Sequence, residues 1–168
     1  MIAVSTQAHA DLWDFLIDES AMLDEHQYAQ WLQLLTDDFV YVMPVPRSTE
    51  DMSESAYDDS TFLANESKSF LSMRFARVES DHAWSERPRA FTRHFITNFR
   101  VIGEADDQTF TVVTNALVYR SRQPAPVTLS SAGRRDVIVR SAEGFKLQHR
   151  TVFLDTELPE DGQLAVIY

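Results

Sequence analysis

The sequence contains no cysteine. Disulfides, thiolate metal sites, thiol nucleophiles and cysteine-bound iron–sulfur clusters are therefore excluded from this polypeptide, and any such cofactor has to sit in another chain. Glycine is almost as scarce, with only Gly103, Gly133, Gly144 and Gly162, all well separated. No glycine-rich loop is available to cradle a phosphate or dinucleotide, and a Gly-x-Ser-x-Gly elbow is missing as well. Nor does any apolar run approach the ~20 residues of a membrane span. The opening MIAVSTQAHADLWDF lacks the basic stretch and apolar run of a signal or transit sequence, so the expected location is cytoplasmic. Positive charge is nearly absent from the first part of the chain: residues 1–66 hold one basic side chain, Arg47, while 74–150 carry most of the arginines. The net charge of −11 repels phosphate backbones and anionic lipid, which argues against nucleic acid or membrane as the main partner.

What is present is enough for one domain, expected to span residues 1–168. From Ala10 to Leu23 the apolar positions Leu12, Phe15, Leu16, Met22 and Leu23 fall on one helical face. Asp24, with Gln27 three residues on, has the spacing of a cap for a second helix whose stripe is Tyr28, Trp31, Leu32 and Leu35. Thr36-Asp37-Asp38 is expected to end it, and Phe39 to Met43 to form a short strand stopped by Pro44 and Pro46. Residues 44–61 suggest an exposed excursion, and Thr61 to Arg77 a third helix with Phe62, Phe70 and Met73 on its stripe. Beyond Pro88 the period changes to two, and four strands are expected: Phe91–Ile102, Phe110–Arg120, Leu129–Arg140 and Phe145–Asp155. Helices gathered in the first half and strands in the second predict an α+β fold, a curved antiparallel sheet covered by three N-terminal helices.

This order of elements resembles the cone of the nuclear-transport-factor-like superfamily, a fold with several functions. Five stretches resemble more narrowly the β (small) subunits of aromatic-ring-hydroxylating dioxygenases. They are LLTDDFVYVMP from Leu34 to Pro44; Leu71 to Arg77 with Ala83-Trp84-Ser85-Glu86 shortly after; TRHFITNFRV from Thr92 to Val101, the most specific; GRRDVIVR from Gly133 to Arg140; and GFKLQHRTVFLD from Gly144 to Asp155. The resemblance implies a heteromer, usually of three α and three β chains around a threefold axis. Its α subunit would hold a Rieske [2Fe-2S] cluster and a mononuclear Fe(II), and its β chain would be a structural, non-catalytic subunit with no cofactor or metal of its own. The enzyme would add O2 to an aromatic ring in catabolism.

Some residues admit a chemical reading. His94 shares a strand face with Thr92, Ile96 and Asn98, so beside a carboxylate it has the makings of a general base or acid. A structural histidine bonded to backbone or carboxylate is the commoner arrangement. Glu19 lies between Leu16 and Leu23 on the apolar face of the first helix; it is a desolvated acid of raised pKa, an edge residue reaching solvent, or a partner for an arginine of the sheet. With Tyr41 or Tyr28 these two residues define the alternative reading, a stand-alone cofactor-free isomerase or dehydratase working inside the cone. The five histidines show no metal-ligand spacing. Arg74, Arg77, Trp84, Arg93, Arg100, Arg135 and Arg150 are the candidate contacts with a large subunit, because arginine meets carboxylates bidentately in partly buried pairs. Asp136 and Asp155 are possible partners within the chain.

Overall fold

In the computed structural model, which describes residues 4–51, 53–79, 88–105, 107–156 and 166–168, the first helix is longer than its apolar stripe. Helix α1 runs Thr6–Asp24, started by the Ser5 hydroxyl accepting from the Ala8 amide at 3.1 Å. Ala8, Leu12, Leu16, Glu19, Ser20 and Leu23 form its buried face. His26, at φ 57°, ends it: the Gln27 amide reaches back to the Met22 carbonyl and the His26 amide to that of Leu23, a Schellman turn. Asp24 is therefore the last residue of α1 rather than the cap of the next helix. Helix α2 (Tyr28–Gln33) starts at Gln27 with no side-chain cap, and the Asp24 carboxylate is left to bond His94 instead.

Strand β1 is Leu35–Pro46, beginning earlier and ending later than its β-branched centre suggests. Thr36-Asp37-Asp38 is part of the strand. Pro44 and Pro46 do not stop it; they sit at register shifts against the next strand, where a missing N–H is tolerated. Strand β2 (Tyr57–Ser67) then takes residues expected to be loop or helix. Pairing with β1 decides this, since β1 offers an open ladder to Asn65, Ala64 and Phe62. Helix α3 (Lys68–Glu79) starts only where the Ser67 hydroxyl accepts from the Phe70 amide at 3.3 Å. Its buried residues are Leu71 and Phe75, whereas Phe62, Phe70 and Met73, expected inside, are exposed.

The long strands β3 (Phe91–Ala105), β4 (Thr109–Ser121), β5 (Thr128–Ser141) and β6 (Gly144–Leu154) form the expected antiparallel meander. They join the first two strands in one open, curved sheet of order β2-β1-β6-β5-β4-β3. The sheet is mixed rather than purely antiparallel: β1 runs parallel to β6, because the intervening chain from β2 to β5 returns β6 to its side in the same direction. The α+β architecture is otherwise as expected. In β3 a bulge between Thr97 and Arg100, with Asn98 at φ 54°, breaks the alternation, so Asn98 is exposed and does not share the inward face of Thr92, His94 and Ile96. The helices cover the inner face, α1 over β3 and α3 over β1. Trp31 packs edge-on against Phe39 and Phe75, and Tyr28 stacks on Phe75 at 4.3 Å.

Candidate functional site

Strand pairing brings most of the inward-facing polar groups into one rung. Tyr41 on β1 lies opposite Arg150 on β6, and Arg150 opposite Asp136 on β5; Arg134, two residues before Asp136, faces Thr114 on β4. Glu19 comes down onto this rung from α1. Its carboxylate accepts two bonds from the Arg150 guanidinium, at 2.7 and 3.1 Å, and one from the Trp31 indole N–H at 2.8 Å. Arg150 also donates from Nε and Nη2 to Asp136, at 2.8 and 2.9 Å, and from Nη1 to the Tyr168 carbonyl. Arg134 donates through Nε to the Thr114 hydroxyl, and its Nη1 and Nη2 lie 3.6 and 3.5 Å from Glu19 and Asp136 without a hydrogen-bond partner.

Two carboxylates and two guanidiniums thus share a fully buried site, and their formal charges sum to zero. Burial alone would push the Glu19 carboxyl up, but the Arg150 and Arg134 guanidiniums outweigh it and hold the group at about 2. Glu19 is therefore the partner of sheet arginines; it is neither an edge residue reaching solvent, being fully buried, nor a desolvated acid of raised pKa. Burial would likewise lower Arg150, and Asp136 and Glu19 reverse this and raise it. Burial pushes the Tyr41 hydroxyl up, while that oxygen accepts from the Tyr168 amide at 3.3 Å. Arg150 was expected among the interface arginines; its guanidinium is instead spent inside the chain.

His94 stands apart from this rung. Its Nδ1 is 2.6 Å from Asp24 Oδ1, its Nε2 is 2.7 Å from the Ile167 carbonyl, and its backbone N–H donates to both Asp24 oxygens. Both ring nitrogens face acceptors, so the imidazole ties the end of α1 to residue 167 with no nitrogen left to exchange a proton with a substrate. His26 is similarly occupied, with Nδ1 against the Tyr28 hydroxyl at 2.9 Å and Nε2 against the Ala90 carbonyl at 3.0 Å. His94 lines a small cavity that Glu19 and Tyr41 do not line, so the structure does not bring His94, Glu19 and Tyr41 to one place.

The remaining arginines divide by face. Arg93, Arg100 and Arg135 are exposed on the outer side of the sheet, Arg135 with its guanidinium 5.9 Å from the Phe153 ring centre. Arg93 also approaches Asp24 to 3.9 Å. Arg74 is half-buried and paired with Glu66, and Arg77 is exposed on α3. Trp84 lies outside the described residues. Among these arginines sit large exposed apolar side chains: Phe91, Phe95, Leu117 and Leu129. Phe95 is directly opposite Leu117, and Tyr119 opposite Leu129, so they form one apolar patch across β3, β4 and β5. Among the described residues no group of histidines and acids is assembled that would hold a metal ion.

Residues 18–160 match the family model described as the ring hydroxylating beta subunit. The chain belongs to this family. The β subunit is 35% identical, over 98% of its own length and 94% of the other chain, to the 3-phenylpropionate/cinnamic acid dioxygenase subunit beta of Photorhabdus laumondii. Among solved structures it superposes on a chain of naphthalene 1,2-dioxygenase with indole bound, with a TM-score of 0.86 at 22% identity, covering 99% of this chain and 88% of that one. It also superposes on the β subunit of benzoate 1,2-dioxygenase from Burkholderia mallei, with a TM-score of 0.71 at 25% identity over 92% and 93% of the two chains. The subunit is thus part of a ring-hydroxylating dioxygenase, an oxidoreductase, and the nuclear-transport-factor-like cone is its fold.

Pairing of Glu19 with a sheet arginine and of Asp136 with an arginine within the chain was expected from the sequence; which arginine serves both was not, because the arginines were distinguished only as a group. A parity signal was there. Arg150, Val152 and Leu154 alternate inward on β6, as do Ala132, Arg134, Asp136 and Ile138 on β5, and charged residues on the apolar parity of two adjacent strands are candidates for pairing with each other.

Proposed function

We propose that this chain is the structural, non-catalytic β subunit of an enzyme that adds O2 to an aromatic ring in catabolism. It folds as a single domain in the cytoplasm and braces an α subunit that carries the Rieske [2Fe-2S] cluster and the mononuclear Fe(II). The observation that carries this reading is the commitment of the inner ionisable groups: Glu19, Asp136 and Arg150 bond one another, and both nitrogens of His94 are taken. A cofactor-free isomerase or dehydratase needs a free acid and base converging on a substrate pocket. Here those groups hold the fold together instead.

The outer sheet face supports the same role. An apolar patch centred on Phe95 and Leu117 and ringed by Arg93, Arg100 and Arg135 suits a protein interface, in which aromatic and arginine side chains are enriched. The expected arrangement seats this face and the sheet edges against the α subunit and against neighbouring β chains around a threefold axis. The influence on chemistry is then indirect, through support of the α subunit's active-site walls.

Co-expression with the large subunit tests the proposal. The complex is expected to hydroxylate an aromatic substrate with electrons from its reductase, while the β chain alone turns over neither that substrate nor a small ketone. Turnover by the unaccompanied chain sinks the structural reading. Exchange of the β chain between related enzymes, with product profiles as the readout, measures the indirect influence.

A further inference from the structure

Where α1 ends, the start of β3 and residues 166–167 enclose a cavity of about 60 Å3 that the ionic rung does not use. Leu23, Val78 and Val166 are among its apolar lining residues, and Arg89, Thr92 and Arg120 among its polar ones. The Thr92 hydroxyl is buried and has no hydrogen-bond partner. Arg120 is the register partner of Thr92 on β4, so the guanidinium stem and the hydroxyl leave the sheet side by side on the same face. Arg89, also a lining residue, is exposed. The two histidines that line the cavity have their ring nitrogens bonded to Asp24, the Tyr28 hydroxyl and the Ala90 and Ile167 carbonyls, so the buried hydroxyl left without a partner here is that of Thr92. None of the described lining residues is acidic, although the chain as a whole carries a net charge of −11.

We propose that this cavity is a carboxylate-binding site. One carboxylate oxygen accepts from the Thr92 hydroxyl, Arg89 supplies positive charge, and the apolar lining residues take the attached carbon. The volume, room for about two water molecules, matches a carboxylate with one or two carbons and is too small for an aromatic ring. Such a group has two sources, an acidic side chain of the large subunit or a free small carboxylic acid anion. Only the first source rests on the subunit reading above.

The test is a titration of the isotopically labelled full chain with sodium acetate, against sodium chloride at equal ionic strength, following the backbone amides of residues 90–94 by NMR. Saturable shifts with a dissociation constant on the order of millimolar are expected for so small a ligand. Thr92→Val, which keeps shape and strand preference, should weaken binding about tenfold by removing a bond to a charged group. Arg89→Gln, an exposed position, should weaken it as well and provides the second variant if Thr92→Val disturbs the spectrum. Shifts that never saturate, or an affinity unchanged in both variants, overturn the site. Repeating the titration on the complex with the large subunit separates the sources. Lost acetate binding marks an acidic side chain of that subunit as the occupant, and retained binding marks a free anion. Failure to form a complex counts against the subunit reading, while the titration of the chain alone still decides the site.

Discussion

On the inner face of the sheet Glu19, Arg134, Asp136 and Arg150 are at most 2% exposed, while on the outer face Phe91 is 76% and Phe95 53% exposed. One sheet thus hides charge and displays hydrocarbon, the reverse of the usual distribution. The two anomalies have different remedies. The inner charges are compensated within the chain, by the bidentate bonds of Arg150 and by an equal number of opposite partners, so the charge of this cluster is balanced in the isolated subunit. The outer apolar patch has no cover among the described residues, which points to another molecule as its remedy. What separates a structural anomaly from a binding surface here is whether the partner is intramolecular.

Substitutions on the two faces should therefore differ in kind as well as size. Arg150→Met strands Glu19 and Asp136 as buried carboxylates, and a loss of about 3–5 kcal/mol is expected in urea unfolding of the isolated chain. A loss below about 1 kcal/mol would show the inner network to be dispensable and break the contrast.

Acid should attack the same network. In the folded chain the Glu19 carboxyl holds its proton less readily than in the unfolded chain, at about 2 against an ordinary 4.5. Its contribution is thus fully present above 4.5 and is lost as pH falls from there toward about 2. The size is on the order of 3 kcal/mol. Glu19→Gln should flatten that acid limb, which unfolding curves across the pH range would check.

A smaller effect is expected where residue 168 meets the sheet. The Tyr168 hydroxyl donates to Ser130 at 2.6 Å, so Tyr168→Phe should cost about 1 kcal/mol by the same unfolding assay. Least of all for stability is Phe95→Asp, with an expected change within about 0.5 kcal/mol for the isolated chain. Its effect should appear in assembly, as loss of the large-subunit complex on size-exclusion chromatography. Normal assembly of Phe95→Asp would mean that the outer patch is not the binding surface.

Much of this division was legible in the residues, and the failures are specific. The strands after Pro88 were readable because their alternation is local. The stretch from Thr61 to Ser67 was not, since its polar composition fits a helix, a loop or an edge strand equally, and pairing with β1 chose the last. Asp24 had the spacing of a helix cap, but a left-handed His26 and a long-range bond to His94 took it elsewhere. The family was legible through the five motifs, and the match over residues 18–160 agrees with them.

The sequence by itself determined the α+β order, the cysteine-free chemistry and the separation of acids from arginines along the chain, because each depends on composition or on neighbours a few residues apart. Only the tertiary structure decided that Glu19 meets Arg150, 131 positions away, and that Arg150 is a core residue and not a surface one. Parity along a strand selects a face of the sheet, but which elements cover that face is settled by packing between segments remote in sequence.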